Sequence, residues 1–123
     1  MRIDIGNGVH LNYLEHGSGE PLVFTASGPG FAQTRREANR PDVAKLFSPP
    51  FRVILYDTRG SGDSDDGEWY SFKSMCDDLL GLLKALELGR KETIIYGGVP
   101  ALMFAYTYPE YIRAVIADGT SAE

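Results

Sequence analysis

Few side chains in this sequence are equipped for covalent or acid–base chemistry, and their placement limits what they can do together. Attack on a carbonyl needs an alcohol or thiol, and a base within hydrogen-bond reach to take its proton. The imidazoles are His10 and His16, both near the N-terminus, and Cys76 is the single thiol. Thr25, Ser27 and Ser121 offer hydroxyls close to the ends of apolar runs. Ser27 precedes Gly28-Pro29-Gly30 and has the setting of a substitute nucleophile, but no base stands near it. Asp57 and Arg59, followed by Gly60, read as residues that shape a turn and its hydrogen bonds rather than as catalysts. Asp118 sits at the tip of the last apolar run, where α/β sheets place functional groups, and is a weak candidate for a catalytic acid. Gly28 and Gly30 lack the Gly-Lys-Ser/Thr that a phosphate-binding loop requires. One cysteine rules out a four-thiolate zinc site and an internal disulfide, and no metal or cofactor is implied.

The elements that must position these groups alternate between strand and helix type, the pattern of an α/β protein. Residues 1–5 and 10–15 read as a half-exposed hairpin joined by Gly6-Asn7-Gly8, with Leu11 and Tyr13 on one face and His10, Asn12 and Leu14 on the other. The continuous apolar runs 21–26 (PLVFTA) and 51–56 (FRVILY), with 93–96 and 114–117, read as buried parallel strands. Pro41 suits the first turn of a short helix through Leu46. From Ser71 to Leu88, Phe72, Met75, Cys76, Leu79, Leu80, Leu83 and Leu86 recur at three- and four-residue steps, which predicts a helix capped by Ser71 and ended by Gly89. Cys76 then lies on its apolar face as a core thiol. Residues 100–108 are apolar on nearly all sides, as in a helix buried at a domain centre. The fold class expected is α/β: a doubly wound, mostly parallel sheet of about six strands with an antiparallel N-terminal hairpin.

Composition narrows the function classes. The chain has 123 residues, 43% hydrophobic and 24% charged, with a net charge of −5. That balance suits one globular domain over 1–123. It counts against a general nucleic-acid or anionic-membrane binder, which needs clustered Lys and Arg. Arg35, Arg36 and Arg40 are diluted by Glu37 and Asp42. With no membrane-length apolar run, no signal-peptide pattern and a lone thiol, a soluble cytoplasmic protein is expected.

Four stretches, in order, carry a family resemblance: Gly17-Ser18-Gly19-Glu20-Pro21-Leu22-Val23; Ser27-Gly28-Pro29-Gly30; the run from Asp57-Thr58-Arg59-Gly60 to Ser61-Gly62-Asp63-Ser64; and Ala101 to Glu110, ending Tyr-Pro-Glu. They resemble the N-terminal part of the α/β-hydrolase fold, nearest to proline iminopeptidase and related small esterases. The resemblance implies an ester or peptide substrate and a serine nucleophile on a Gly-x-Ser-x-Gly turn. It also implies an oxyanion-stabilising amide from the loop holding Ser27 and Gly28. Here the strand ends Tyr96-Gly97-Gly98-Val99-Pro100, so Gly97, Gly98 and Val99 are what remains of that elbow. Valine has no nucleophilic atom, and the pattern is restored by inserting about four residues between Gly98 and Val99. The family's acid and histidine follow later strands, so the resemblance also implies a truncated, incomplete domain that is inactive alone. The competing expectation is a binding or assembly module: an open sheet edge would then pair with a second copy or a complementing chain, one that completes half a site.

Overall fold

Left-handed conformations at Asn7 (φ 55°) and Gly8 (φ 77°) supply the tight turn that joins β1 (Arg2–Gly6) to β2 (Val9–His16). The computed structural model describes residues 1–25, 33–34, 50–65 and 71–117. The remaining elements are β3 (Glu20–Phe24), β4 (Phe51–Tyr56), α1 (Phe72–Ala85), β5 (Thr93–Gly97), α2 (Val99–Thr107), a 3-10 turn (Pro109–Tyr111) and β6 (Ile112–Ala117). The helix predicted from Pro41 falls outside the described residues.

The six strands form one sheet in the order β1-β2-β4-β3-β5-β6. β1 and β2 pair antiparallel, β2 runs antiparallel to β4, and β3 runs parallel to both β4 and β5. β6 runs parallel to β5. The chain steps from β3 out to β4 and then back across β3 to β5. The crevice between the carboxyl ends of β3 and β5 is therefore the switch point at which such sheets place their sites. The expected mostly parallel, six-stranded sheet with its N-terminal hairpin is what the structure holds.

The apolar runs explain the core. Val23, Ile54 and Ile95 on one face pack with Leu79, Leu82, Leu83, Ala101 and Phe104 of the two helices. Leu22, Phe24, Val53, Leu55 and Ile94 fill the other face. Burying each of the leucines is worth about 1.5–3 kcal/mol. α1 approaches β1 so closely that a Cβ on Gly81 would stand 2.6 Å from the Ile5 carbonyl oxygen, so this crossing needs glycine.

Three local expectations are corrected. α1 stops at Ala85, and Glu87, at φ 60°, takes the left-handed position expected of Gly89. Leu86 and Leu88 donate back to Leu82 and Leu83 and close that end. The predicted apolar stripe includes Phe72, which is exposed, and omits Asp78, which is buried. α2 is not buried all round. Pro100, Ala101 and Phe104 face the core, whereas Val99, Leu102 and Tyr106 are exposed, because β5 and β6 cover only one side of the helix.

Candidate functional site

The turn after β4 is built around the Asp57 carboxylate, which is fully buried. It accepts from the Thr34 amide at 2.9 Å, the Thr34 hydroxyl at 2.8 Å, Asn12 Nδ2 at 3.2 Å and the Asp63 amide at 3.2 Å. Several neutral donors thus compensate a charge taken out of water. The Asp57 carbonyl accepts from Ser64 Oγ at 2.7 Å, and Ser64 Oγ in turn accepts from the Asn12 backbone N–H at 2.8 Å. Gly60 (φ 83°) and Gly62 (φ 51°) provide the left-handed steps that bring the chain back on itself. Beside Thr34, Gln33 Nε2 donates to the carbonyls of Phe24 at 2.8 Å and Tyr56 at 3.0 Å. One side-chain amide thereby ties together the carboxyl ends of β3 and β4.

Arg59 reaches α1. Its Nε and Nη2 donate to the two Asp78 oxygens at 3.1 and 2.7 Å, a bidentate pair anchoring α1 to the turn. The pair borders an open cleft of about 350 Å³ beside the hairpin, lined by Ile5, Gly6, Asn7, Val9, Ser74 and Asp77. Burial works to raise the Asp77 pKa, but donors at Tyr108 and Lys73 carry it below the usual carboxylate value. The same bond, 2.5 Å from the Tyr108 hydroxyl, pushes that phenol up to about 12.

At the carboxyl end of β5 the chain passes from Gly97 through Gly98 (φ −92°, ψ −138°) directly into α2. None of Gly97, Gly98 and Val99 is in the left-handed region. A valine side chain projects where the helix begins, 41% exposed. Thr25 follows β3, its amide donating to the Tyr96 carbonyl at 2.8 Å. Its hydroxyl is buried against Gly97 and has no hydrogen-bond partner among the described residues.

The histidines stand apart from this crevice. His16 pairs with Val53, toward the amino end of the parallel strands. His10 lies at the correct end, but its Nδ1 is 3.3 Å from Asp65 Oδ2 and its strand is three positions from β5, about 14 Å across the sheet. Cys76 is buried, and desolvation pushes its thiol up, the opposite of an activated nucleophile. Among the described residues no cluster of His, Cys, Asp or Glu is arranged to hold a metal ion. Ser27, Gly28, Asp118 and Ser121 lie outside the described residues. Asn12, Gln33, Thr34 and Asp78 were not singled out by sequence reasoning. Only Asp78 left a signal there, a carboxylate three residues after Met75 on an otherwise apolar face.

Residues 21–123 match the family model of the alpha/beta hydrolase fold. The chain belongs to the α/β-hydrolase fold family. It is 31% identical to serine hydrolase BPHL of Mus musculus, an alignment covering 94% of this chain and 41% of that protein. It is also 31% identical to a proline iminopeptidase, PfmaB, of Pestalotiopsis fici, covering 94% and 42%. Among solved structures, a meta-cleavage product hydrolase from Pseudomonas fluorescens superposes with a TM-score of 0.77 at 29% identity, covering 98% of this chain and 45% of that one. This α/β-hydrolase chain therefore spans about two fifths of the length of the curated relatives it matches. No helix among its described residues is long and apolar enough to cross a membrane.

Proposed function

We propose that this chain is an α/β-hydrolase scaffold of ester- or peptide-hydrolase ancestry that does not itself hydrolyse substrate. The observation carrying this reading is the Gly97-Gly98-Val99 turn. Where the family carries a serine, this chain has a branched alkyl group, and the backbone runs into α2 without the strained step. The geometry of the bases supports it as well. His10 is engaged by Asp65, and His16 faces the far end of the sheet. The Thr25 hydroxyl is the nearest alcohol to the turn among the described residues, and it has neither a base nor exposure to solvent. Ser27 and Gly28 would contribute at most an amide donor, which stabilises an oxyanion but forms no acyl intermediate. The lone buried thiol and the acidic surface fit a cytoplasmic protein without nucleic-acid or membrane partners.

The test is to assay the purified chain, with its Val99→Ser variant, against activated aryl esters and aminoacyl arylamides. Neither protein is expected to exceed the buffer rate, because the variant restores an oxygen without a base. Turnover abolished by a serine-directed reagent, or by Thr25→Ala, overturns the proposal.

A further inference from the structure

The tip of the N-terminal hairpin holds a chemically labile pair. Asn7 precedes Gly8, and their φ angles of 55° and 77° form the two-residue turn that Asn-Gly favours, closed by Gly6 against Val9. Residues 6–8 are exposed, and a Cβ on Gly6 or Gly8 would meet nothing within 4 Å. Neither the Asn7 side-chain amide nor the Gly8 N–H has a hydrogen-bond partner among the described residues. The pairing register slips right beside the turn, between Asp4 and Gly6. A tip held by so few contacts opens locally at far lower cost than the core. Asn12 is the internal contrast: it precedes Tyr13, and its Nδ2 donates to Thr34 at 3.0 Å and to Asp57 at 3.2 Å.

We propose that Asn7 is a self-modification site, at which the folded chain deamidates to aspartyl and isoaspartyl forms with water as the only co-reactant. The Gly8 nitrogen loses its proton to water and bonds to Asn7 Cγ. The bond from Cγ to the side-chain nitrogen breaks, and that nitrogen leaves as ammonia. Water then opens the resulting succinimide ring at one of its two carbonyls, which leaves either an aspartate or an isoaspartyl linkage. Glycine at position 8 permits the attack, because no Cβ shields its nitrogen. Ring closure needs Asn7 to leave its left-handed conformation, so the reaction runs from the opened tip and its rate follows that opening. The product changes the molecule in two ways. A new carboxylate joins Asp77 and Asp78 on the wall of the open cleft beside the hairpin, where like charges repel. The isoaspartyl form also carries one more backbone carbon, which a two-residue turn between Gly6 and Val9 does not accommodate. The inference is independent of whether the chain hydrolyses anything, since it uses no residue of the β3–β5 crevice.

The purified chain is held at neutral pH and physiological temperature beside an unstructured peptide of residues 2–12, and both are followed by mass spectrometry with fragmentation. The chain is expected to gain the mass difference between an amide NH2 and an OH, at Asn7 before any other asparagine. Isoelectric focusing should show one negative charge beyond the −5 of the parent, and the product should accept isoaspartate-specific methylation. The rate should lie within about a hundredfold of the peptide's, the retardation that an opening free energy of about 2.8 kcal/mol imposes. Asn7→Gly, whose Gly-Gly pair the same turn accepts, should abolish both the mass gain and the methylation. Asn7→Asp should lose the mass gain and keep the methylation, because Asp-Gly closes the same ring with loss of water. A folded chain slower than the peptide by more than that factor overturns the proposal. So does a mass gain that survives Asn7→Gly or appears first at Asn12 or Asn39.

Discussion

Arg59 and Asp57 stand two residues apart and do unlike work. Asp57 is satisfied by neutral donors from β2, from Thr34 and from its own turn. Arg59 instead reaches across to α1, where Asp78 has a side chain only 6% exposed. An arginine fork matched to both carboxylate oxygens is the pairing that compensates so buried a charge. Removing one member leaves the other without its counter-charge, which costs more than the pair contributes as a whole. Arg59→Met should therefore lower stability by about 3 kcal/mol in urea unfolding. Adding Asp78→Asn to the same chain should recover a large part of that loss. The sequence exposed Asp57 and Arg59 as turn residues because their spacing to Gly60 and Gly62 is local. Asp78 lies 19 residues further on, and nothing in the sequence couples it to Arg59.

Among the elements, the junction of β5 with α2 is the one on which the proposed loss of hydrolysis turns. Gly97 is tight because Thr25 sits against it. A Cβ there would collide with the Thr25 hydroxyl and stand 3.0 Å from its carbonyl oxygen. Gly97→Ala should cost about 1–3 kcal/mol by overpacking. Adding Thr25→Ala should restore part of this, since it removes the first obstacle. Thr25→Ala alone should cost little, because the hydroxyl it deletes has no partner among the described residues. A thermal-denaturation double-mutant cycle measures this coupling, and additive losses would show that the two residues do not press on each other. The glycines at 97 and 98 were legible as the end of a strand. The straight run into α2 was not, because a Gly-Gly pair is compatible with many turns.

At the scale of the molecule, a few ionisable contacts tie distant parts together and set how stability responds to pH. Asp65 links β1 and β2 to the turn after β4, and the His10 amide and the Arg2 guanidinium hold its pKa below 3.8. Asp77 links α1 to α2 through Tyr108 and is likewise depressed. A depressed carboxylate contributes stability above its unfolded pKa and loses it as pH falls through the folded one. Tyr108 is raised from 10.0 to about 12, so its contribution is complete below pH 10 and is lost as pH rises through about 12. Melting temperature should thus fall on two limbs, below pH 3.8 and above pH 10. Tyr108→Phe should remove its share of the alkaline limb and shrink the acid one. An unchanged profile would mean that the bond between the helices does not couple titration to folding. These links were invisible beforehand: Tyr108 and Asp77 stand 31 residues apart, and Arg2 and Asp65 are 63 apart.

The sequence by itself determined the strand and helix types, because side-chain periodicity is written within a few residues and survives whatever the elements later pack against. It also determined that no alcohol or thiol occupies Gly97, Gly98 or Val99, since folding cannot add an atom. Tertiary structure alone decided which side chains share the burial of a charge, as Asp78 does with Arg59, and which amide staples β3 to β4, as Gln33 does. It also decided that α2, apolar almost all round, covers the sheet with one side only. Burial and hydrogen bonding over such separations depend on which surfaces meet. That is a property of the strand order and crossovers, and no local pattern carries it.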